Sequence, residues 1–318
     1  MTKQLLSVQD LSIDFLTRRG RVQALEDVSF NVSEGEILGI VGESGSGKSV
    51  LSYSIMGLSD KAANIRSGSI NFRGAPLKPE KMADLRGREI SMVFQSPRTA
   101  LNPIRKVGHQ IEDVLRRHTT LRRKALRSAA IEALTRVRIP DPARRYEAYP
   151  FEMSGGMCQR VMIAMALACK PALLICDEPT TGLDVTTQAV IMDLIRDLVA
   201  ETKMAAILIT HDLALAGEYC DQIAVMHAGH IVEVAQSRSF PDELRHPYTE
   251  RLFAALPSAA ANLSELAVIP GSLPDLRGTL PPCRYIARCE RAKEDCSLGP
   301  LPWAQIDSDH LVRCRYPK

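Results

Sequence analysis

The stretch that decides the fold is Gly42-Glu43-Ser44-Gly45-Ser46-Gly47-Lys48-Ser49, which matches the phosphate-binding pattern G-x-x-x-x-G-K-[ST] at every fixed position. The apolar run from Glu36 to Val41 before it predicts a strand, and residues 50–56 after it can continue as a helix. Strand, glycine loop and helix together aim backbone N–H groups and a helix N-terminus at an anion. We therefore expect Lys48 to reach the outer phosphates and the Ser49 hydroxyl to ligate Mg²⁺, rather than a chance glycine- and serine-rich turn.

Length and composition fit an ordinary soluble protein. The chain has 318 residues, enough for one large domain with an appendage or for two domains. Apolar residues make up 45% and charged residues 24%, and the net charge of +3 is too small to argue for nucleic acid as a partner. No apolar run approaches the roughly 20 residues that span a bilayer, and the N-terminus lacks the shape of a signal peptide. We expect a cytoplasmic protein.

Hydrophobic patterns outline the fold class. Residues 7–15 and 28–32 alternate between apolar and polar, which predicts a small antiparallel β layer before the loop. Apolar strands are predicted at 90–94, 173–176 and 206–210, and helical patterns separate them. Strands that alternate with helices indicate a parallel α/β sheet.

A basic helical pattern runs from Val107 to Val137 and includes Arg116, Arg117 and Arg122. Nucleic-acid contact is one interpretation of such a run. A solvated helix face is the commoner one, because no aromatic residue interleaves with these charges.

Adjacent carboxylates, Asp177 and Glu178, end the strand predicted at 173–176. The carboxyl end of a parallel strand opens into the crevice where ligands bind in α/β sheets. We assign Asp177 to Mg²⁺ and Glu178 to an attacking water, since the two tasks need separate carboxylates. A surface turn is the bland alternative.

A second anion-type helix start is predicted at Ser154-Gly155-Gly156, where the serine can cap the helix and the glycines leave the first N–H groups uncovered. One chain then carries two sites that suit phosphate but only one domain of a nucleotide-binding fold. A dimer in which each chain contributes half of each site resolves this.

These motifs occur in the order found in ATP-binding cassette (ABC) ATPases, and the chain resembles that family over residues 5–235. The motifs are the phosphate loop, Gln95, residues 153–157, residues 173–178, residues 181–184 and His211. The resemblance implies an α/β P-loop NTPase core with an antiparallel β layer and a helical subdomain at about 97–168. It also implies a nucleotide-binding domain over 1–235, followed by a loop-rich extension over 236–318.

The resemblance further implies roles for individual residues. ATP and Mg²⁺ are the implied cofactors, and Met153 and Met157 stand where the family usually has Leu and Gln, although the Ser-Gly-Gly core is kept. Phe15 is implied to stack on adenine, and Ser49, Gln95 and Asp177 to ligate Mg²⁺. Ser154, Gly155 and Gly156 are implied to contact the γ-phosphate of ATP held by a partner. Glu178 is implied to activate water together with His211, and Asp184 to couple the two sites.

The extension after residue 235 points to a particular subfamily of ABC ATPases. Prolines recur there, Pro241 and Pro257 among them. The segments 246–249, 269–271 and 313–317 resemble the C-terminal region of ATP-binding subunits of dipeptide and oligopeptide importers.

Four of the eight cysteines, Cys283, Cys289, Cys296 and Cys314, crowd into the extension. In a reducing compartment such a group suggests metal rather than disulfides. Four thiolates suit either an iron–sulfur cluster or zinc, although the close C-x₂-C pair usual for zinc is missing. The resemblance implies a [4Fe–4S] cluster at these cysteines.

The resulting hypothesis is an ATPase subunit that energises import of di- and oligopeptides from the cytoplasmic face of the inner membrane, to which it binds peripherally. The implied partners are a second, homologous ATPase in a heterodimer, two permease subunits and, through them, an extracytoplasmic peptide-binding protein, with no nucleic acid. One alternative keeps the ATPase role with another cargo, such as a nickel chelate or an opine. A more distant alternative is a soluble ABC ATPase that acts on nucleic acid or the ribosome.

Overall fold

The structure, a computed structural model, describes residues 3–240, 242–256 and 267–318. Pro241 and Pro257, two of the prolines that mark the extension, lie outside the described residues. The chain divides into two compact units. The first comprises Met1–Ser33, Ile37–Leu77 and Leu208–Lys318, and the second comprises Glu34–Glu36 and Lys78–Ile207.

The first unit contains the antiparallel layer expected from the N-terminal alternation. Its four strands lie in the order β2-β1-β4-β5. They are β1 (Gln4–Thr17), β2 (Gly20–Ser33), β4 (Ala63–Phe72) and β5 (Ala75–Pro76). Strict alternation fails within β1, because the register shifts between Val8 and Leu11 and the chain is buried on both sides from Leu11 to Asp14.

A second set of strands in the first unit surrounds the strand that precedes the phosphate loop. The strands are β3 (Ile37–Val41), β9 (Gln222–His227), β10 (His230–Gln236), β11 (Ala304–Asp307) and β12 (His310–Val312). They lie in the order β11-β12-β10-β9-β3, with β3 parallel to β9 and the β9–β10, β10–β12 and β11–β12 pairs antiparallel. The C-terminal hairpin thus extends the sheet that contains β3, and the first unit includes chain from both sides of residue 235.

Among its described residues, the first unit also contains the α-helices α1 (Lys48–Ile55), α9 (Leu213–Tyr219) and α10 (Pro247–Ala254). His246 begins α10, since its Nδ1 accepts a hydrogen bond from the Tyr248 backbone N–H at 3.1 Å, and Pro247 occupies the first turn. The extension therefore contains regular structure as well as loops.

The second unit is mainly helical around a parallel pair of strands, β6 (Ile90–Val93) and β7 (Leu173–Asp177). Strand β8 (Ala205–Thr210) contributes residues to both units. The helices are α2 (Pro79–Leu85), α3 (Pro97–Ala100), α4 (Val107–His118), α5 (Lys124–Arg136), α6 (Pro142–Tyr146), α7 (Gly155–Leu167) and α8 (Val185–Thr202).

The basic pattern from 107 to 137 is two helices rather than one, because the chain breaks after His118. The Thr119 hydroxyl donates to the Leu115 carbonyl at 2.7 Å and accepts from the Leu121 N–H at 3.3 Å. A threonine that bonds the backbone in this way competes with helix continuation. No helix in the described ranges is both long enough and apolar enough to cross a bilayer.

Candidate nucleotide site

The phosphate loop joins β3, whose five residues are all buried, to α1. Two glycines are required by geometry. Gly47 precedes the helix at φ +106°, which only glycine adopts at little cost, and a Cβ on Gly42 would lie 2.1 Å from the carbonyl oxygen of Met226. The sequence therefore fixes the loop through backbone sterics.

Lys48 is buried, with 5% of its surface exposed, and its side chain folds back over the loop. Its Nζ donates to the carbonyl oxygens of Gly42 at 2.7 Å and Glu43 at 2.9 Å. These bonds hold the positively charged ammonium at the loop. Ser49, the predicted Mg²⁺ ligand, is exposed at the start of α1.

Glu43 is bound by residues of the C-terminal extension, which no sequence pattern predicted. Its carboxylate accepts two hydrogen bonds from the Arg288 guanidinium, at 2.8 and 2.9 Å. Its backbone N–H donates to the Tyr248 hydroxyl at 3.0 Å. Tyr248 belongs to a segment that carried the family resemblance, but nothing in the sequence near Arg288 indicated this contact.

In the second unit, the structure brings Gln95 and Glu178 together. Gln95 Nε2 donates to Glu178 Oε2 at 2.9 Å, and the Thr181 hydroxyl donates to the same oxygen at 2.9 Å. Asp177, 6% exposed, is the last residue of β7. Glu178 follows with φ +46°, a left-handed conformation that is uncommon for glutamate and typical of functional sites.

The predicted anion-type helix start is present at α7. Ser154 caps the helix, accepting from the Met157 N–H at 3.3 Å, and Ser154 and Gly155 are exposed. Gly156 is required for packing, because a Cβ there would lie 2.8 Å from Thr187 Cγ2. Asp184 caps α8 by accepting from the Thr187 N–H at 2.9 Å and hydroxyl at 2.7 Å, and these hydrogen bonds lower its pKa.

The remaining predicted residues divide between the units. Phe15 is half-buried in β1, opposite Val22 of β2, and His211 directly follows β8 and is exposed. Both belong to the first unit with the phosphate loop, whereas Gln95, Ser154, Asp177, Glu178 and Asp184 belong to the second.

The four cysteines of the extension line one small cavity, together with aromatic, apolar and arginine side chains. Burial raises the pKa of Cys283 to about 11 and also raises the pKa of Cys289 and Cys314. Within the described ranges, no three of these sulfur atoms lie within 4.8 Å of one another. A single tetrahedral zinc ion would require thiolate sulfurs about 4 Å apart.

Comparison with known proteins accounts for both parts of the sequence. The ABC transporter family matches residues 25–181, and the family described as "Oligopeptide/dipeptide transporter, C-terminal region" matches residues 232–296. Among solved structures, the ATP-binding cassette MJ0796, in a dimeric post-hydrolysis state with ADP and Pi, aligns with a TM-score of 0.65 and 27% identity over 74% of this chain and all of its own. CbiO1 from Clostridium perfringens aligns at 0.65 and 28% identity, covering 76% of this chain and 92% of its own.

The fold is therefore that of the ABC ATPases, and the expected fold class is confirmed. Relatives that match nearly the full length of the chain identify its family more specifically. A peptide import ATP-binding protein of Brucella melitensis is 46% identical over 98% of this chain and 95% of its own length. The dipeptide transport ATP-binding proteins DppD of Bacillus subtilis and Escherichia coli are 44% and 42% identical, each over 98% of this chain, and 94% and 97% of their lengths are covered. The chain belongs to the family of ABC transporter ATP-binding subunits that carry the oligopeptide/dipeptide transporter C-terminal region.

Proposed function

We propose that this protein is the ATP-hydrolysing subunit of an importer of di- and oligopeptides. The observation that carries the proposal is its similarity to DppD along 98% of the chain, extension included. ATP and Mg²⁺ are the cofactors of this family. Import of another solute, such as a nickel chelate or an opine, and action on nucleic acid or the ribosome have no supporting observation.

The side-chain oxygens in the second unit suit Mg²⁺, which prefers hard oxygen ligands. Gln95 donates through Nε2 to Glu178, and its Oε1 is the atom suited to the metal. We assign Mg²⁺ ligation to Ser49, Gln95 and Asp177. When bound, the ion supplies charge neutralisation for the phosphates.

The residues of the chain then divide the remaining work. Lys48 and the loop amides bind the phosphates, Phe15 packs on adenine, and Glu178 accepts a proton from the attacking water, which His211 helps to position. Ser154, Gly155 and Gly156 bind the γ-phosphate of ATP held by the partner ATPase, and Asp184 couples the two sites. Hydrolysis then waits until the two ATPase chains meet, because both contribute residues that position the reacting groups.

The test of this assignment is Glu178→Gln. The variant keeps the volume and loses the base, so we expect ATP binding to persist while hydrolysis falls by about 10²–10⁴-fold. Single-turnover hydrolysis and ATP affinity, measured on the complete transporter, separate the two effects. Hydrolysis at the wild-type rate would remove Glu178 from this role.

We assign a [4Fe–4S] cluster to Cys283, Cys289, Cys296 and Cys314. Two observations support it over zinc: all four thiols line one cavity, and in the described ranges no three of their sulfur atoms lie within 4.8 Å of one another. The cluster, when bound, joins the four segments that carry its ligands, which is a structural task.

Protein purified without oxygen should show brown absorbance and about four iron atoms per chain. Cys296→Ser should lose the iron, whereas Cys169→Ser, which changes a cysteine outside that cavity, should keep it. Zinc in place of iron would refute the cluster.

For the assembly we propose a heterodimer with a second, homologous ATPase, bound to two permeases at the cytoplasmic face of the inner membrane and served by an extracytoplasmic peptide-binding protein. We take residues 1–235 as the nucleotide-binding domain, about 97–168 as the helical subdomain that contacts the permeases, and 236–318 as the extension. Co-purification with permeases from membranes would support this assembly. Co-purification with nucleic acid or ribosomes instead would overturn it.

A further inference from the structure

The extension makes a specific contact with the phosphate loop at Glu43. This residue occupies the second position of G-x-x-x-x-G-K-[ST], where any residue satisfies the motif. Its backbone carbonyl accepts from Lys48 Nζ, its backbone N–H donates to Tyr248, and its carboxylate binds Arg288. All three of its polar groups are therefore engaged, two of them by the extension.

Arg288 is suited to hold one conformation of the loop. Its side chain is only 4% exposed, and its two terminal nitrogens bind the two carboxylate oxygens of Glu43 in parallel. Its Nε donates to the carbonyl oxygen of Pro270 at 2.8 Å, and His227 Nε2 lies 3.3 Å from Nη1. A bidentate guanidinium–carboxylate pair fixes both distance and orientation, and here every donor nitrogen of the fork has a partner.

Tyr248 adds a second, uncharged contact. The residue is fully buried at the start of α10, and its ring packs against His227 and Tyr285 at centroid distances of 4.6 and 5.4 Å. These ring contacts hold the Tyr248 hydroxyl in place to accept a hydrogen bond from the Glu43 N–H. The loop is held at one residue from both its main chain and its side chain.

The charges in this contact should affect nucleotide binding. A carboxylate beside a triphosphate repels it, because both carry negative charge. The Arg288 guanidinium neutralises Glu43 while the ammonium of Lys48 remains for the nucleotide. Without Arg288, the loop would present an uncompensated negative charge to a polyanion.

We propose that Arg288 and Tyr248 form a clamp that positions the phosphate loop and neutralises Glu43, so that nucleotide affinity depends on the extension. Both are positioning residues, since they act through Glu43. The inference rests on the proposed function, because it requires the loop to bind ATP. It adds that the extension sets ATP affinity.

The experiment measures ATP affinity of the full-length chain by titration calorimetry, and KM and kcat for ATP in the complete transporter. Arg288→Ala should raise the ATP Kd about tenfold or more, with kcat at saturating ATP within about threefold of wild type. Adding Glu43→Gln to Arg288→Ala should recover most of the lost affinity, because it removes the carboxylate that Arg288 neutralises. A purely structural role for Arg288 would show no such recovery.

Matched controls are available within the same unit. Arg277→Ala removes an arginine whose guanidinium pairs with the exposed Asp275, and Tyr285→Phe removes the hydroxyl of the tyrosine that packs on Tyr248. Both variants should bind ATP as the wild type does. Tyr248→Phe, which deletes only the hydroxyl, should raise the Kd about threefold and remains informative if Arg288→Ala does not fold.

Three outcomes are decisive. Unchanged ATP affinity in both Arg288→Ala and Tyr248→Phe overturns the clamp. Equal weakness of Arg288→Ala with and without Glu43→Gln overturns the neutralisation of Glu43. Failure of the wild-type chain to bind ATP overturns the proposed function itself, which separates the two conclusions.

Discussion

Glu178, the residue proposed to activate water, has an uncommon backbone conformation. Its backbone is left-handed at φ +46°, a conformation that costs of order 1–3 kcal/mol outside glycine and persists only where the surroundings impose it. Gln95 and Thr181 both donate to its Oε2. We infer that the backbone aims the carboxylate and the two donors fix its rotamer.

Thr181 is accordingly expected to position the base. Thr181→Val keeps the shape of the side chain but deletes the donor, so kcat should fall about tenfold while KM for ATP stays unchanged. Thr181→Ser retains the hydroxyl and should keep most of the activity. Steady-state ATPase assays of the transporter measure both variants, and an unaltered kcat in Thr181→Val would leave the donor without a function.

The packing of α4 against α6 depends on glycine at position 108, which has no side chain. A Cβ on Gly108 of α4 would lie 2.0 Å from the ring of Tyr146, which is 2% exposed. The ring cannot easily move, because its hydroxyl donates to Glu112 at 2.5 Å and the Arg127 guanidinium lies 4.2 Å from its centroid. Glycine at this position lets the two helices approach.

Gly108→Ala should therefore lower the free energy of unfolding by about 1–3 kcal/mol, the usual effect of overpacking. Gly217→Ala is the matched control, since Gly217 also lies in a helix, α9, and its Cβ would meet nothing within 4 Å. That change should be neutral or stabilise the protein by up to about 1 kcal/mol. Urea unfolding monitored by circular dichroism compares the two, and equal effects would contradict the packing argument.

At the scale of the molecule, burial lowers the pKa of His227, His230 and His246, all in the first unit. The pKa of His227 falls to about 3 and that of His246 to about 4, and His230 shifts in the same direction. An unfolded chain binds protons near pH 6.5 that the folded chain does not bind. The free energy of unfolding should thus decrease as the pH falls from about 7 toward about 4.

His227→Gln tests this dependence. Each buried neutral histidine contributes a slope of up to about 1.4 kcal/mol per pH unit below its unfolded pKa, so the variant should lose about that much slope between pH 6 and 5. Urea unfolding at a series of pH values gives the slopes, and equal slopes for wild type and His227→Gln would show that His227 takes up its proton in the folded state.

The sequence by itself determined the parts of the fold that have a local signature. The strand before the phosphate loop, the loop and α1 follow from hydrophobic period and from glycines that sterics require. The buried strand that ends in Asp177 follows for the same reason, because periodicity and burial are linked over a few residues.

Only the tertiary structure decided which distant residues meet. Gln95 reaches Glu178 across 83 positions, and Arg288 reaches Glu43 across 245. Such pairs have no signature in local spacing, because they depend on the order and register in which strands assemble. The same holds for the four cysteines: their crowding into the extension suggested a metal, but their shared cavity exists only after the extension has folded.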